Sequence, residues 1–174
     1  KVFEPARTLD PQNRPLTGAF EKNSAPDKCR CYQLCDFICL NRYYGWYISG
    51  GAEMEEAEVK FRTEMDKWAA KKLNVPFVFT EFGTDTLATE HKLPAIMWSQ
   101  EYQNEYLAMN FSVFDSYDFV QGELVWNFAD FQTTEGIMRV NGNKKGVFTR
   151  QRQPKDIAYK LKERWENLPL DYKK

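Results

Sequence analysis

The chain has 174 residues, 43% of them hydrophobic and 16% aromatic, enough to bury the core of one domain. Its 24 lysines and arginines nearly balance 25 aspartates and glutamates, so the net charge of −1 excludes an overall field that would draw it to nucleic acid or an anionic membrane surface. No apolar run reaches the length of a membrane span, and "KVFEPARTLD" has neither the apolar core nor the cleavage pattern of a signal peptide.

The first residues read as the tail of a helix and begin on Lys1 rather than Met, so an upstream segment is expected. A first strand is predicted in "RPLTGAF" (14–20) and a second in "DFICLN" (36–41), the latter apolar enough for a parallel strand covered on both faces. Just before and within it, "CRCYQLCDFIC" holds Cys29, Cys31, Cys35 and Cys39. The spacing lacks the paired CxxC pattern of structural zinc, so four reduced thiols and a reducing compartment are expected.

A helix over 54–73 follows, with Phe61, Met65, Trp68 and Ala69 on one stripe, acids at its start and lysines at its end. The third strand, "PFVFTEFGTDT", is apolar until it delivers Glu81, an aromatic residue and Gly83. A helix over 99–117 stacks Tyr102, Tyr106, Met109, Val113 and Tyr117, with Ser99 as its cap. The fourth strand is "FVQGELVW" (119–126), and a polar, glycine-containing segment then runs to about residue 153, a length that points to function. The last helix is expected to open with Pro154 in its first turn, to bury Ile157, Leu161, Trp165 and Leu168, and to stop at Pro169.

Nothing divides this succession, which reads as one continuous α/β unit. Four strands alternating with helices fit half of a (β/α)8 TIM barrel or a small doubly wound sheet, and periodicity leaves both open. The strand ends follow a regular cadence, Asn41 to Glu81 to Trp126, and each is followed by polar or aromatic residues, where a barrel builds its site. "NRYYGWY", Glu81 and "WNFAD" together offer a carboxylate among aromatic rings, the lining expected of a carbohydrate pocket. Neither GxGxxG nor GxxxxGK[ST] occurs, which disfavours a nucleotide site.

In order along the chain, "LNRYYGWY", "TEFGTDTL", "VWNFADF" and "NGNKKGVFTRQRQPK" resemble the C-terminal half of the catalytic barrel of family 2 glycoside hydrolases, specifically the β-glucuronidases. The resemblance implies that residues 1–174 are the last four strands and helices of a TIM barrel acting as a retaining glycosidase on β-D-glucuronides. It assigns the nucleophile to Glu81 and the sugar pocket to Asn41, Tyr43 and Tyr47, with Asp85 on sugar hydroxyls and Trp126 as the pocket floor. Asn143 and Lys145 match the N-x-K arrangement that meets the uronate carboxylate, and Arg139 matches an arginine that binds the uronate or braces the loop.

Other groups take structural readings. Glu123 is expected to be a buried partner within the barrel, His91 to have no catalytic role, and the Asn110–Ser112 triplet to be an accidental glycosylation pattern inside a helix. The resemblance also requires an acid/base glutamate in an Asn-Glu pair after the barrel's fourth strand, and the first strand here corresponds to the family's fifth, so that glutamate is expected upstream. An N-terminal part of the same enzyme is therefore the expected partner, and a homo-oligomer, a tetramer by resemblance, the expected assembly. No metal or organic cofactor is implied. The alternatives are a galacturonidase, a galactosidase or a non-catalytic sugar-binding fragment. The thiols favour a bacterial cytoplasm, with a lysosomal or secreted setting open if an upstream segment carries a signal peptide.

Overall fold

The computed structural model describes residues 2–169, 171 and 172. After a short helix α1 (Phe3–Leu9), the chain runs through β1 (Ala19–Phe20), β2 (Ile38–Asn41), α2 (Met54–Ala70), β3 (Phe77–Glu81), α3 (Gln100–Asp115), β4 (Val120–Glu123) and α4 (Asp156–Asn167). The strands form one sheet in sequential order β1-β2-β3-β4, and all three pairings are parallel. A doubly wound sheet reverses its strand order at a switch point, whereas a barrel adds strands in sequence. The sheet is thus an arc of a (β/α) barrel.

The helices cover one face of that arc. Phe77 and Phe79 point out of β3 into them: Phe77 meets Trp68 of α2 at 5.4 Å, and Phe79 lies 5.5 Å from Phe61 of α2 and 4.1 Å from Phe114 of α3. Truncating the fully buried Phe79 to alanine is expected to cost about 3–5 kcal/mol. A buried ion pair adds a polar tie, with Arg42 after β2 donating through Nε and Nη2 to Glu64 of α2, which also accepts from Tyr44 and Trp68.

Several boundaries differ from the sequence expectations. β1 is two residues rather than seven, because only Ala19 and Phe20 align with Cys39 and Leu40 of β2. Helix α2 ends at Ala70, and the chain turns at Lys72 through a left-handed φ of 50°. Ala69 is exposed, and the buried face of α2 is instead shared by Ala57 and Glu64 with Phe61, Met65 and Trp68. β4 stops at Glu123, although the N–H groups of Leu124 and Trp126 still reach the carbonyls of Phe79 and Phe82. Helix α4 starts at Asp156, so Pro154 precedes its N-cap. Ile157 and Leu161 are buried as expected, but Leu168 is half-buried and Trp165 is 50% exposed, since it stands on the flank of α4 beside the outer edge of β4.

The Ser99 cap is formed, its hydroxyl accepting from the Tyr102 N–H at 3.1 Å. All four cysteines are free thiols, and burial raises the pKa of Cys35 and Cys39. Asn110 is fully buried, its amide donating to the Tyr106 carbonyl, so the triplet is closed to modification. Glu123 is a structural partner, its carboxylate paired with Arg164 and Trp165 of α4. No described helix is long and apolar enough to cross a membrane.

Candidate functional site

Strict alternation along β3 would place Glu81 on the same face as Phe77 and Phe79, against the helices. The ladder prevents this. Leu40 pairs with Phe79 but Asn41 pairs with Glu81, and this one-residue shift turns Glu81 out of the packed face at the carboxyl end of the strand. There it lines a cleft of about 340 Å³ together with Asn41, Tyr43, Tyr47, Ile48, Glu21 and Lys22. That volume is at the small end of the range for a small-molecule site.

Four of the residues expected from sequence therefore meet. The Tyr43 hydroxyl donates to Glu81 Oε2 at 2.9 Å, and its ring lies 5.1 Å from that of Tyr47. Burial foremost, then the bond to Glu81, raises the Tyr43 pKa well above the ordinary phenol value, which keeps it a proton donor to the carboxylate. Asn41 accepts from the Thr80 hydroxyl at 2.6 Å through Oδ1, which fixes its amide at the strand end and leaves the NH2 side as its donor. Glu21 and Lys22, from the carboxyl end of β1, were not singled out from sequence; their position straight after a barrel strand was the available signal.

A second group is joined to the first through Tyr47. Its hydroxyl accepts from Lys145 Nζ and from Arg139 Nη2, each at 2.9 Å. Lys145 is also bonded to Asp85 Oδ2, and Arg139 lies 3.5 Å from the same oxygen. The Lys145 ammonium stands 4.9 Å from the Tyr47 ring centre and 5.4 Å from that of Trp46. Asn143 is buried, its Oδ1 accepting from the Lys145 N–H at 3.0 Å. Asp85, expected on sugar hydroxyls, is fully buried, with its other oxygen taken by the Lys144 N–H at 2.7 Å.

This loop rests on residues that sequence reasoning passed over. Lys155 is buried and donates through Nζ to Asp130 at 2.9 Å and to the carbonyls of Thr86 and Lys144, both at 2.8 Å. Asp130 accepts from the Gly146 N–H as well. Burial lowers the Lys155 pKa and Asp130 opposes the shift. Both residues stand within quoted motifs, "WNFAD" and "QRQPK", where an acid and a base at the ends of a long loop were the signal. Two glycines permit close approach: a Cβ on Gly83 would fall 2.0 Å from the Trp126 carbonyl oxygen, and one on Gly142, at φ +97°, would fall 2.5 Å from that of Phe131.

Trp126 is not brought into the Glu81 cleft. It is half-buried, its ring edge-on to Phe131 at 6.1 Å. A larger concavity, about 870 Å³, lies elsewhere, between β4 and α4, and its lining is mainly apolar. On the surface, ligand atoms of His91, Glu101 and Asp156 lie within 4.8 Å of one another, but His91 Nδ1 is engaged by Glu101 at 2.8 Å and none of the three lines the cleft.

A family model described as "Glycosyl hydrolases family 2, TIM barrel domain" matches residues 1–170. A β-glucuronidase of Paenibacillus borealis is 49% identical over 168 residues, covering 97% of this chain and 27% of that protein. The β-glucuronidase of Homo sapiens is 42% identical over 166 residues, covering 94% of this chain and 25% of that protein. A solved β-glucuronidase from Ruminococcus gnavus, in complex with uronic isofagomine, is 76% identical with a TM-score of 0.93, over 94% of this chain and 28% of that one. The chain thus spans about a quarter of the length of these relatives.

Proposed function

The chain belongs to the TIM-barrel domain of the family 2 glycosyl hydrolases, and from that premise we propose that it forms the second half of the catalytic barrel of a retaining β-glucuronidase. Glu81 is the nucleophile: it attacks the anomeric carbon and forms a covalent glycosyl-enzyme intermediate. Tyr43, hydrogen-bonded to Glu81, orients the attacking carboxylate. Asn41 offers its amide to a ring hydroxyl. Protonation of the leaving oxygen and activation of water fall to a second carboxylate, contributed by the N-terminal part of the enzyme.

The observation that carries the choice of a uronide is the convergence of Lys145 and Arg139 on the Tyr47 hydroxyl, at the wall of the Glu81 cleft. Two cations against the single carboxylate of Asp85 leave a surplus positive charge. A sugar carboxylate neutralises it, and a neutral glycoside does not. The names of the relatives support the same substrate class, and the Ruminococcus gnavus enzyme has been solved with D-glucuronic acid.

Contact with an N-terminal part is supported by the sheet itself. Among the described residues β1 pairs with β2 and β4 with β3, so the outer edge of each is open. Beside β4, the groove toward α4 exposes Leu124, Phe128, Tyr159 and Trp165. A strand added to β4, with its following helix, would cover both features and continue the barrel.

The test is hydrolysis of chromogenic glucuronide, galacturonide and galactoside by the assembled enzyme. Preference for the glucuronide is expected, with Lys145→Ala losing the uronide preference before all hydrolysis. Preference for either galacto-configured substrate would move the assignment to a sibling activity.

A further inference from the structure

We infer that Asp85 is a positioning residue that sets the enzyme's preference for an anionic sugar by acting through Lys145, rather than by touching the sugar's hydroxyls. The inference rests on the uronide reading above and deepens it.

Asp85 is fully buried and both its oxygens are occupied. Oδ1 accepts from the Lys144 N–H at 2.7 Å, and Oδ2 takes the Lys145 ammonium and lies 3.5 Å from Arg139. A hydroxyl from a sugar would have to displace one of these donors. The grip extends to the backbone, where the Thr86 N–H donates to the Lys144 carbonyl at 3.0 Å. The backbone N–H and C=O of Lys144, next to Lys145, are therefore both held by consecutive residues of the segment after β3. Since Glu81 ends β3, the piece of chain that carries the proposed nucleophile also fixes the ammonium that reads the substrate's charge.

Lysine carries a flexible four-carbon stem, so an ammonium without a fixed partner samples many positions. Here the stem is buried, and the head is held between Asp85 and the Tyr47 hydroxyl. Such a held cation meets a carboxylate at one place without losing rotamer freedom on binding. Asp85 also offsets one of two positive charges. If charge count alone governed selectivity, removing it would strengthen binding of an anion; if position governs, removing it weakens that binding.

The test compares p-nitrophenyl β-D-glucuronide with p-nitrophenyl β-D-glucoside, which shares every ring hydroxyl and differs at carbon six. The quantity read is the ratio of the two kcat/KM values, measured on one preparation of the assembled enzyme, so any loss of folded protein cancels. Asp85→Asn is expected to lower the glucuronide-to-glucoside ratio by about 10- to 100-fold, the scale of a charge-assisted hydrogen bond, chiefly through KM. Asp85→Ser, a smaller neutral replacement, serves if the amide disrupts folding and is read in the same way. In a Lys145→Met background the same change at Asp85 should alter the ratio by less than about twofold, because the residue it acts through is gone. An unchanged ratio with both substrates equally impaired, as direct hydroxyl binding requires, would overturn the inference, as would a raised ratio. Wild-type enzyme without glucuronide preference would instead overturn the uronide reading.

Discussion

The Tyr43 hydroxyl donates to Glu81 Oε2 at 2.9 Å, joining the segment after β2 to the last residue of β3. The neighbouring Arg42 N–H reaches the Glu81 carbonyl at the same distance. Side chain and backbone of Glu81 are thus both held by the two residues that follow the neighbouring strand β2. A carboxylate fixed in this way would need little reorganisation for the proposed attack.

Removing the phenol oxygen tests that relationship. A hydrogen bond to a charged group contributes about 1.5–3 kcal/mol, so Tyr43→Phe should lower kcat by about 10- to 150-fold if the bond persists toward the transition state. The fall should appear in kcat more than in KM, measured with a glucuronide on the assembled enzyme. An equal rise in KM with kcat intact would mean that Tyr43 only binds substrate.

Alkaline pH provides a second check. Burial and Glu81 raise the Tyr43 pKa, and burial and Glu64 raise that of Tyr44. In the unfolded chain tyrosine ionises near about pH 10, so the unfolded state releases protons there that the folded state keeps. The stability these groups contribute is complete below about pH 10 and is lost as pH rises above it. The urea midpoint should fall over that range, and should fall less steeply in the Tyr43→Phe, Tyr44→Phe double variant. Identical slopes in the two proteins would assign the fall to other groups.

Lys155 should matter to stability far more than a loop lysine ordinarily does. Its ammonium is buried and bridges Asp130 to two carbonyls. Lys155→Met leaves a buried carboxylate unpaired, a change expected to cost about 3–5 kcal/mol by urea unfolding. A cost under about 1 kcal/mol would show that the bridge is replaceable by solvent.

The barrel and its site were legible to different degrees. Strand β3 and helix α3 read directly, because Phe77, Phe79 and the Ser99 cap follow local rules. Glu81 was visible as a carboxylate ending an apolar strand, yet the register shift that turns it into the cleft depends on the pairing partner and leaves no local mark. Trp165 was expected to be buried from its helical spacing, but periodicity identifies an apolar face without saying which neighbour covers it. Asp85 and Lys145 were singled out separately, 60 residues apart; that they bond to each other follows only from the fold.

The exposed face between β4 and α4 leads to a prediction about the partner. Leu124→Asp combined with Trp165→Asp places charge in the apolar groove while leaving the cleft lining untouched. If the N-terminal part of the barrel seats there, the pair of changes should lower the thermal midpoint and yield of the assembled enzyme. An unaltered midpoint and activity would remove this groove from the interface.

The central claim is that Glu81 becomes covalently bonded to the sugar. A 2-deoxy-2-fluoro-glucuronyl fluoride should inactivate the assembled enzyme with time by slowing breakdown of the intermediate, and peptide mass mapping then locates the label. One glucuronyl-sized addition on the peptide carrying Glu81, absent in Glu81→Gln, is the predicted result. A label on another carboxylate, or full turnover by Glu81→Gln, would contradict the account.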